Sequence, residues 1–370
     1  MNPKLARRIG ALQREMTIRG LDAIVFADRE NLIYYAGATE IECLAVVIPA
    51  LGEPIYCCLW LDAEHVEEAT GGARLLPYRF PSSNIGRTIV AAMRELGLPA
   101  APQVGFHKYF VEFAVFEEIR AAFPDIVFRS ASEATYRVRA VKDADEIATM
   151  EAACDFLAAG MEAAVEAVRP GATELAVLAE ADHAMRRAGS EGATFRMQVL
   201  TPHKQLRAHP CAGHDVIESG QAIVVHLGAS LRGYSAKMCR TVALGSIDPA
   251  TRRVHDVLHA AQTLAASMLT PGTVVSTIFD AVDALVDREG YGGRIIDHLG
   301  YGLGIRQSEF FPIVGKGLDH VLAADMVVDL LLPTILVPGV GGPRITDLYR
   351  VAEHGGRIMT RCPRALIEKP

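Results

Sequence analysis

The sequence lacks the cysteine pattern of a disulfide-rich or zinc-binding protein. Its 7 cysteines are an odd number in a chain of 370 residues, and no two of them form a CxxC pair. Such spacing favours neither a disulfide framework nor a zinc knuckle. The sequence therefore predicts free thiols and a cytoplasmic location.

The sequence also lacks blocks of basic residues and long apolar runs. Its net charge is -7, whereas proteins that bind phosphate backbones carry clustered Lys and Arg. The strongest apolar stretch, 326–340, contains Asp329 and two prolines and is shorter than the roughly 18 residues of a membrane span. Residues 1–16 carry charges throughout and predict a helix, not a signal peptide. We expect a small-molecule ligand, no nucleic acid and no membrane.

Hydrophobic residues make up 50% of the chain and charged residues 22%, which is typical of a globular protein with large cores. Single cores stop growing at roughly 250–300 residues, so this length predicts two domains. The first part alternates a helix over 3–19 with short buried strands and further helices, which predicts an α/β domain. We place the boundary so that the domains cover residues 1–136 and 137–370.

The second domain has the pattern of an internal duplication. It begins with a predicted long helix over 142–168, whose first turn is acidic. Residues 169–192 and 270–293 each contain a Pro-Gly turn, a Thr at a plausible N-cap, an amphipathic helix and a glycine-rich exit. This pattern predicts an α+β domain with two halves about a pseudo-twofold axis and a site between them.

Four segments, in order and spacing, resemble a known superfamily. They are GLDAIVFADRENLIYYAG, RAVKDADEI, VRPGATE and GQAIVVHLGASLRGYSAKMCRT. In this order they are similar to the creatinase, prolidase and methionine aminopeptidase superfamily over nearly the whole chain. The resemblance implies a creatinase-like N-terminal α/β domain followed by a pita-bread domain.

The resemblance also implies a position for each of the five metal ligands of the peptidase members, which are Asp, Asp, His, Glu and Glu. The matching segments put other residues in these positions, namely His226, Lys237, Tyr301, Leu331 and Thr346. An ammonium group cannot ligate a metal ion, and hard divalent cations need several anionic oxygens. The sequence therefore predicts a site with no metal and no cofactor.

Creatinase, as the resemblance implies, keeps this fold without metal and uses a histidine of an Ala-His segment as its proton shuttle. Ala208-His209 matches that segment here, so His209 is predicted as general acid/base, with Lys237 and Tyr301 as further catalytic residues. The resemblance also implies a homodimer whose N-terminal domain contributes to the neighbouring site. The predicted substrate-binding residues are His226, Cys239, Glu309, Arg344 and Asp347, with Glu40 and Glu42 donated by the partner.

These residues have other interpretations. Lys237 could form an internal salt bridge with Asp347 or Glu309, because a buried charge must be paired. His226 could be a core histidine and Cys239 a small core residue, whereas Asp297 and His298 could supply a second acid/base pair.

The predicted function is a metal-independent, creatinase-like enzyme that cleaves a C–N bond of a small anionic or zwitterionic substrate. Three alternatives remain open at this point. The same groups could serve a lyase, isomerase or cyclase, the chain could be a non-catalytic binding module, or it could be an ordinary metallopeptidase whose ligands lie elsewhere.

Overall fold

The computed structural model describes residues 1–39, 41, 44–107, 112–207, 210–332 and 335–370, with the backbone alone at 331 and 332. The chain divides into two compact units, Met1–Arg139 and Ala140–Pro370. The boundary predicted from the sequence lay between residues 136 and 137. Within the described ranges, no helix is long and apolar enough to cross a bilayer.

The first unit is a mixed sheet with helices. Its strands lie in the order β4-β3-β2-β1-β5-β6, with β2 antiparallel to both of its neighbours and the remaining pairs parallel. The strands are β1 Ala23–Phe26, β2 Leu44–Pro49, β3 Ile55–Leu59, β4 Arg74–Tyr78, β5 Gln103–Phe106 and β6 Val127–Ser130. The helices are α1 Pro3–Arg19, α2 Arg29–Ala36, α3 Ala63–Thr70, α4 Ile85–Glu95, α5 Phe113–Ala122 and α6 Ser132–Ala140.

Local sequence signals set the first helix of this unit. The Asn2 side chain accepts a hydrogen bond from the backbone N–H of Lys4, and Pro3 occupies the first helical position. Gly20 ends the helix in the left-handed conformation, with φ of 63°. These are the usual start and stop of a helix, and they match the helix predicted over 3–19.

The second unit is built on one large, curved sheet. Its strands lie in the order β11-β10-β12-β13-β9-β8-β7, with β14 beside β13 and β15 parallel to β9. The strands are β7 Gln198–Leu200, β8 Ala222–Leu231, β9 Tyr234–Leu244, β10 His298–Gly302, β11 Glu309–Gly315, β12 Val327–Leu332, β13 Ile345–Arg350, β14 Arg357–Ile358 and β15 Ile367–Lys369. The helices are α7 Ala144–Ala167, α8 Glu174–Ala188, α9 Pro249–Ser267 and α10 Val275–Arg288.

The helices of the second unit cover one face of this sheet. Helix α7 packs on β8 and β9, α9 packs on β12 and β13, and α10 packs on β11. Leu330 and Ile345 belong to the apolar core that α9 and α10 share with the sheet. Because side chains alternate along a strand, Asp329 and Thr346 point to the other face.

The two halves of the predicted duplication differ at their helix starts. Thr173 caps α8, since its hydroxyl accepts a hydrogen bond from the backbone N–H of Ala176. In the second copy Val274 occupies the N-cap position of α10, and the hydroxyl of Thr273 contacts that of Thr270. The predicted Thr cap therefore forms in the first half only.

A fully buried arginine joins the helix-covered face of the sheet to the C-terminal segment. Arg240 on β9 is 0% exposed and forms an ion pair with Asp347 on β13, at 2.6 Å. Its other N–H groups donate to the backbone carbonyls of Cys239, Thr346, Cys362 and Pro363. Burial of a charge is tolerated when its donors are satisfied in this way.

A second buried titratable group makes stability depend on pH. His255 on α9 is 1% exposed, and neither ring nitrogen has a hydrogen-bond partner among the described residues. Burial lowers the pKa of His255 to about 4. The folded state therefore binds this proton less tightly than the unfolded state, so the stability it supports is complete above pH ~6.5 and is lost as the pH falls towards ~4.

We expect this histidine alone to lower the free energy of unfolding by about 2 kcal/mol between pH ~7.5 and pH ~5. Urea unfolding of the wild type and of His255→Leu at both pH values measures the contribution. The pH dependence should be weaker by that amount in His255→Leu, whereas replacement of the exposed His65 by Gln should leave it unchanged. Equal pH dependence in the wild type and His255→Leu would contradict the assignment.

Candidate functional site

The face of the sheet opposite the helices carries two rows of side chains. In the first row His226 on β8 pairs with Cys239 on β9, Cys239 pairs with Thr346 on β13, and Thr346 pairs with Leu331 on β12. Directly paired residues project from the same face. His226 and Thr346, two of the predicted ligand positions, therefore project from one face, with Cys239 between them.

The second row lies one pleat away. Gly228 pairs with Lys237, and Asp329 pairs with Tyr301 on one side and with Leu348 on the other. Lys237 and Tyr301 are the two remaining ligand positions implied by the resemblance. The structure thus brings four of the five positions, His226, Lys237, Tyr301 and Thr346, onto one face.

Lys237 and Asp329 form a buried ion pair within the second row. Their exposed fractions are 4% and 0%, and the Lys237 ammonium also lies 3.4 Å from the Ser308 hydroxyl. The other Asp329 oxygen accepts a hydrogen bond of 2.7 Å from the Tyr301 backbone N–H. Burial raises the pKa of Asp329 to about 6 despite the opposing effect of Lys237. The Asp329 carboxyl is therefore mostly ionised at neutral pH.

The partner of Lys237 differs from the predicted one. The sequence suggested Asp347 or Glu309, but the carboxylate that meets the ammonium is Asp329. Asp329 lies two residues before Leu331 on the same strand, so alternation along the strand is the signal that could have identified it.

His226 is a neutral histidine against an aromatic ring. Its imidazole lies 4.6 Å from the ring of Phe195, between centroids, and its Nε2 has no hydrogen-bond partner among the described residues. Burial, and then the charges of Lys237 and Arg344, hold the pKa of His226 well below its usual value. A Cβ at Gly228 would lie 2.5 Å from Phe195, so this glycine leaves the ring its space. No sequence signal indicated Phe195.

Tyr301 forms a hydrogen-bonded pair with His298. The phenol oxygen lies 2.8 Å from His298 Nε2, and the two rings are 4.7 Å apart. Burial raises the pKa of Tyr301 and lowers that of His298. Both groups are therefore neutral near pH 7, and they can share a proton through this contact. The sequence suggested Asp297 and His298 as a second acid/base pair, and of these two residues His298 is the one that contacts the Tyr301 hydroxyl.

The structure places the other predicted site residues as follows. Cys239 is buried in the first row, and burial raises its pKa to about 12, which keeps the thiol protonated and weakly nucleophilic. Glu309 is buried and accepts a hydrogen bond from the backbone N–H of Arg306 at 3.3 Å. The Arg344 guanidinium binds Gln198 and backbone carbonyls.

Asp347 does not join this cluster, contrary to the prediction. It is paired with Arg240 and accepts a hydrogen bond from Thr360 on the helix-covered face of the sheet. The physical reason is strand alternation, because Thr346 points to the site and its neighbour must point away. His209, Glu40 and Glu42 lie outside the described residues.

Two family models match this chain. The model of metallopeptidase family M24 matches residues 148–353, and that of the creatinase/prolidase N-terminal domain matches residues 8–141. The chain belongs to metallopeptidase family M24. The superfamily and the two-domain fold predicted from the sequence are thereby confirmed.

Members of the M24 family with similar sequences cover both units of the chain. A putative dipeptidase, YkvY, of Bacillus subtilis is 26% identical over 351 residues, which are 94% of this chain and 96% of the relative. The Xaa-Pro dipeptidase of Pyrococcus furiosus is 24% identical over 363 residues, 98% of this chain and 100% of the relative. The solved structure of an Xaa-Pro dipeptidase from Bacillus anthracis superposes with a TM-score of 0.90 at 22% identity, covering 99% of this chain and 100% of that one.

These matches overturn the predicted reaction. A metal-independent C–N hydrolase outside the peptidases is wrong for a chain of metallopeptidase family M24 with relatives named dipeptidases over its whole length. The creatinase-like function was inferred from five altered ligand positions and one Ala-His segment. The residues at the five ligand positions show only which groups are present to bind a metal ion. They do not specify which bond the members of a family cleave.

The M24 family implies a bound metal, and the described side chains can be tested against it. Lys237 places a cation at one ligand position, and its carboxylate partner Asp329 is already neutralised by it. Within the described ranges, no three His, Cys, Asp or Glu side chains lie close enough together to hold a metal ion. These residues do not fit a two-metal centre, since such cations need several anionic oxygens. We therefore assign no chemical step to a metal ion.

Proposed function

We propose that this M24 chain acts on dipeptides, which it binds on the sheet face that carries His226, Lys237, Asp329 and Tyr301. The observation that supports this most is the similarity to proteins named dipeptidases over 94% and 98% of the chain, with both family models matched. These four residues belong to the second unit, and His226, Lys237 and Tyr301 stand at ligand positions implied by the resemblance, which supports this choice of face.

The charges of this face suit a zwitterion. Lys237 and Asp329 carry opposite charges, whereas His226 and His298 are neutral near pH 7. A free dipeptide also carries one ammonium and one carboxylate. Because Lys237 and Asp329 neutralise each other, this face has no net charge, and it therefore favours a ligand without net charge, such as a free dipeptide, over a ligand that carries one.

Tyr301 and His298 supply the proton transfer in this proposal. Hydrolysis of a peptide bond adds water to the carbonyl carbon, releases a proton from that water and gives a proton to the leaving amine. A phenol 2.8 Å from a neutral imidazole can hold and return one proton during these steps. Lys237 stays paired with Asp329 and fixes the backbone of Tyr301 through the carboxylate.

Two further properties belong to this proposal. Six cysteines of the described residues are free thiols, which supports a reducing compartment such as the cytoplasm. They are Cys57, Cys58, Cys154, Cys211, Cys239 and Cys362. We also propose a homodimer in which Glu40 and Glu42 of the N-terminal domain reach the neighbouring site.

We expect the protein to cleave free dipeptides and to discriminate against the same dipeptides with an acetylated amino group. The assay follows amino-acid release by mass spectrometry for Xaa-Pro and Xaa-Ala dipeptides, with added Mn²⁺, Co²⁺ or Zn²⁺ and with a chelator. Comparison of the metal and chelator conditions shows whether cleavage depends on an added metal ion. Tyr301→Phe should lower kcat by roughly 10²-fold or more with little change in KM, since it removes the proton donor.

Tyr291→Phe is the matched control, because the same hydroxyl is removed outside the site. It should leave the rate of dipeptide cleavage unchanged. The proposal fails if no dipeptide is cleaved in any metal condition and none raises the melting temperature of the protein. Equal rates for free and acetylated dipeptides would also contradict the preference for a zwitterion.

A further inference from the structure

The Arg344 side chain is bound to the protein itself. Its Nη1 donates to the side-chain oxygen of Gln198 at 3.0 Å, and its Nη2 donates to the carbonyls of Gln205 at 2.9 Å and Arg207 at 3.4 Å. Its backbone is fixed as well, because the N–H and C=O of Arg344 both bond the Thr241 hydroxyl. The guanidinium thus joins strand β13 to the loop that follows β7.

Gln198 holds the other side of the same loop. Its side-chain amide donates to the carbonyl of Pro210 at 3.0 Å, while its oxygen accepts from Arg344. Gln198 is also the backbone partner of His226 in the sheet. The carbonyls of residues 207 and 210 are therefore tied to one hydrogen-bonded pair at the edge of the site.

The start of the loop has its own anchors. Gln205 is buried and its side chain donates to the carbonyls of Leu200 and Ala222 and accepts from the N–H of Gly342. The Lys204 ammonium bridges Glu174, which is fully buried at the start of α8, and Asp215 at the far end of the loop. Beyond these anchors, Arg344 and Gln198 bind the loop carbonyls of residues 207 and 210, beside the strand pair that contains His226.

We propose that Arg344 is a positioning residue, which with Gln198 fixes the loop flanks at 204–207 and 210 as a wall of the dipeptide site. This inference rests on the proposed function and replaces the expectation that Arg344 binds the substrate's anionic group. Both terminal nitrogens of the guanidinium already donate to the protein. Three of the five guanidinium N–H groups make these bonds, and Nε is buried without a partner among the described residues, so a direct contact would use the N–H of Nε or the second N–H of Nη1.

Two measurements on Arg344→Met test the proposal, with Arg350→Met as the matched control. Arg350 is the last residue of β13, the strand that begins directly after Arg344, and it binds Asp325, away from the loop. The first measurement is hydrogen exchange of peptides covering 203–207 and 210–216. We expect it to be at least about tenfold faster in Arg344→Met, since several charge-assisted hydrogen bonds are lost, and unchanged in Arg350→Met.

The second measurement compares the Kd of an unreactive dipeptide analogue with that of its C-terminal amide, which lacks the carboxylate. A positioning role predicts that Arg344→Met weakens both ligands by the same factor. A direct contact predicts that only the ligand with the carboxylate is weakened, and this outcome would overturn the proposal.

Gln198→Met is a second variant that keeps the size of the side chain. It should reproduce the faster exchange of residues 210–216, because the bond to Pro210 is lost while Arg344 remains. Unchanged exchange in both Arg344→Met and Gln198→Met would overturn the positioning role. If the wild type binds neither ligand, the proposed function fails, but the exchange data still decide whether this pair fixes the loop.

Discussion

Replacement of Arg240 by Met lowers the free energy of unfolding by about 3–5 kcal/mol, because it leaves the Asp347 carboxylate buried without its cation. The carbonyls of residues 362 and 363 lose their donor at the same time. The C-terminal segment is then held less firmly against β9. Urea unfolding at neutral pH measures the loss, which is a large fraction of the stability of an ordinary domain.

A double variant and a surface control separate this effect from simple loss of a charge. Arg240→Met combined with Asp347→Leu should be less destabilised than Arg240→Met alone, because no buried charge remains unpaired. Replacement of Arg252 by Ala breaks an exposed pair with Glu368 and should change stability by less than about 1 kcal/mol. A loss under about 1 kcal/mol for Arg240→Met would contradict the role assigned to this arginine.

Replacement of Lys237 by Met should lower the free energy of unfolding by about 3–5 kcal/mol above neutral pH. The variant leaves Asp329 charged, fully buried and without its ammonium partner. The pKa of Asp329, already raised to about 6 by burial, must then rise further. The loss should therefore shrink as the pH falls below about 6, where the variant binds a proton at Asp329 and removes the unmatched charge.

The sign of this dependence follows from proton binding. Folded Asp329 has a raised pKa and binds its proton more tightly than the unfolded chain does. Its contribution to stability is complete below pH ~3.8 and is lost as the pH rises through about 6. Unfolding measured from pH ~5 to ~8 should show a steeper fall for Lys237→Met than for the wild type.

Lys237→Met with Asp329→Asn is the matched double variant for this pair. The Asn oxygen can still accept the Tyr301 N–H, and no buried charge remains. The double variant should recover part of the lost stability and should show little pH dependence in this range. A pH-independent loss in Lys237→Met would mean that the destabilisation comes from packing and not from the ion pair.

Much of the second unit could be predicted from the sequence because its signals are local. The acidic start predicted for the long helix is a capping box in α7, where Asp143 and Glu146 bond each other's backbone N–H groups. The family segments predicted that His226 and Lys237 belong to one site, and the register of β8 and β9 then puts them on one face. The order of the family segments predicted that Tyr301 would join them.

Other features of the site depend on strand register. Nothing in the sequence near Lys237 identifies Asp329, which is far along the chain and is brought to it by the pairing of β9, β13 and β12. Asp347 was predicted to bind the substrate, yet strand alternation turns it to the face opposite Thr346. Arginine is a residue type that often binds anions, but the Arg344 guanidinium donates hydrogen bonds to carbonyls of the loop.

The sequence by itself determined the two domains, the superfamily and the five altered ligand positions, because these depend on the order and spacing of residues. Only the tertiary structure decided which polar groups pair. Lys237 forms an ion pair with Asp329 and Arg240 with Asp347, whereas the neutral Tyr301 and His298 share a hydrogen bond. The ion pairs join strands distant in sequence, and the Tyr301–His298 contact forms beside a register irregularity in β10. The energies of such pairs depend on burial, which spacing along the chain does not specify.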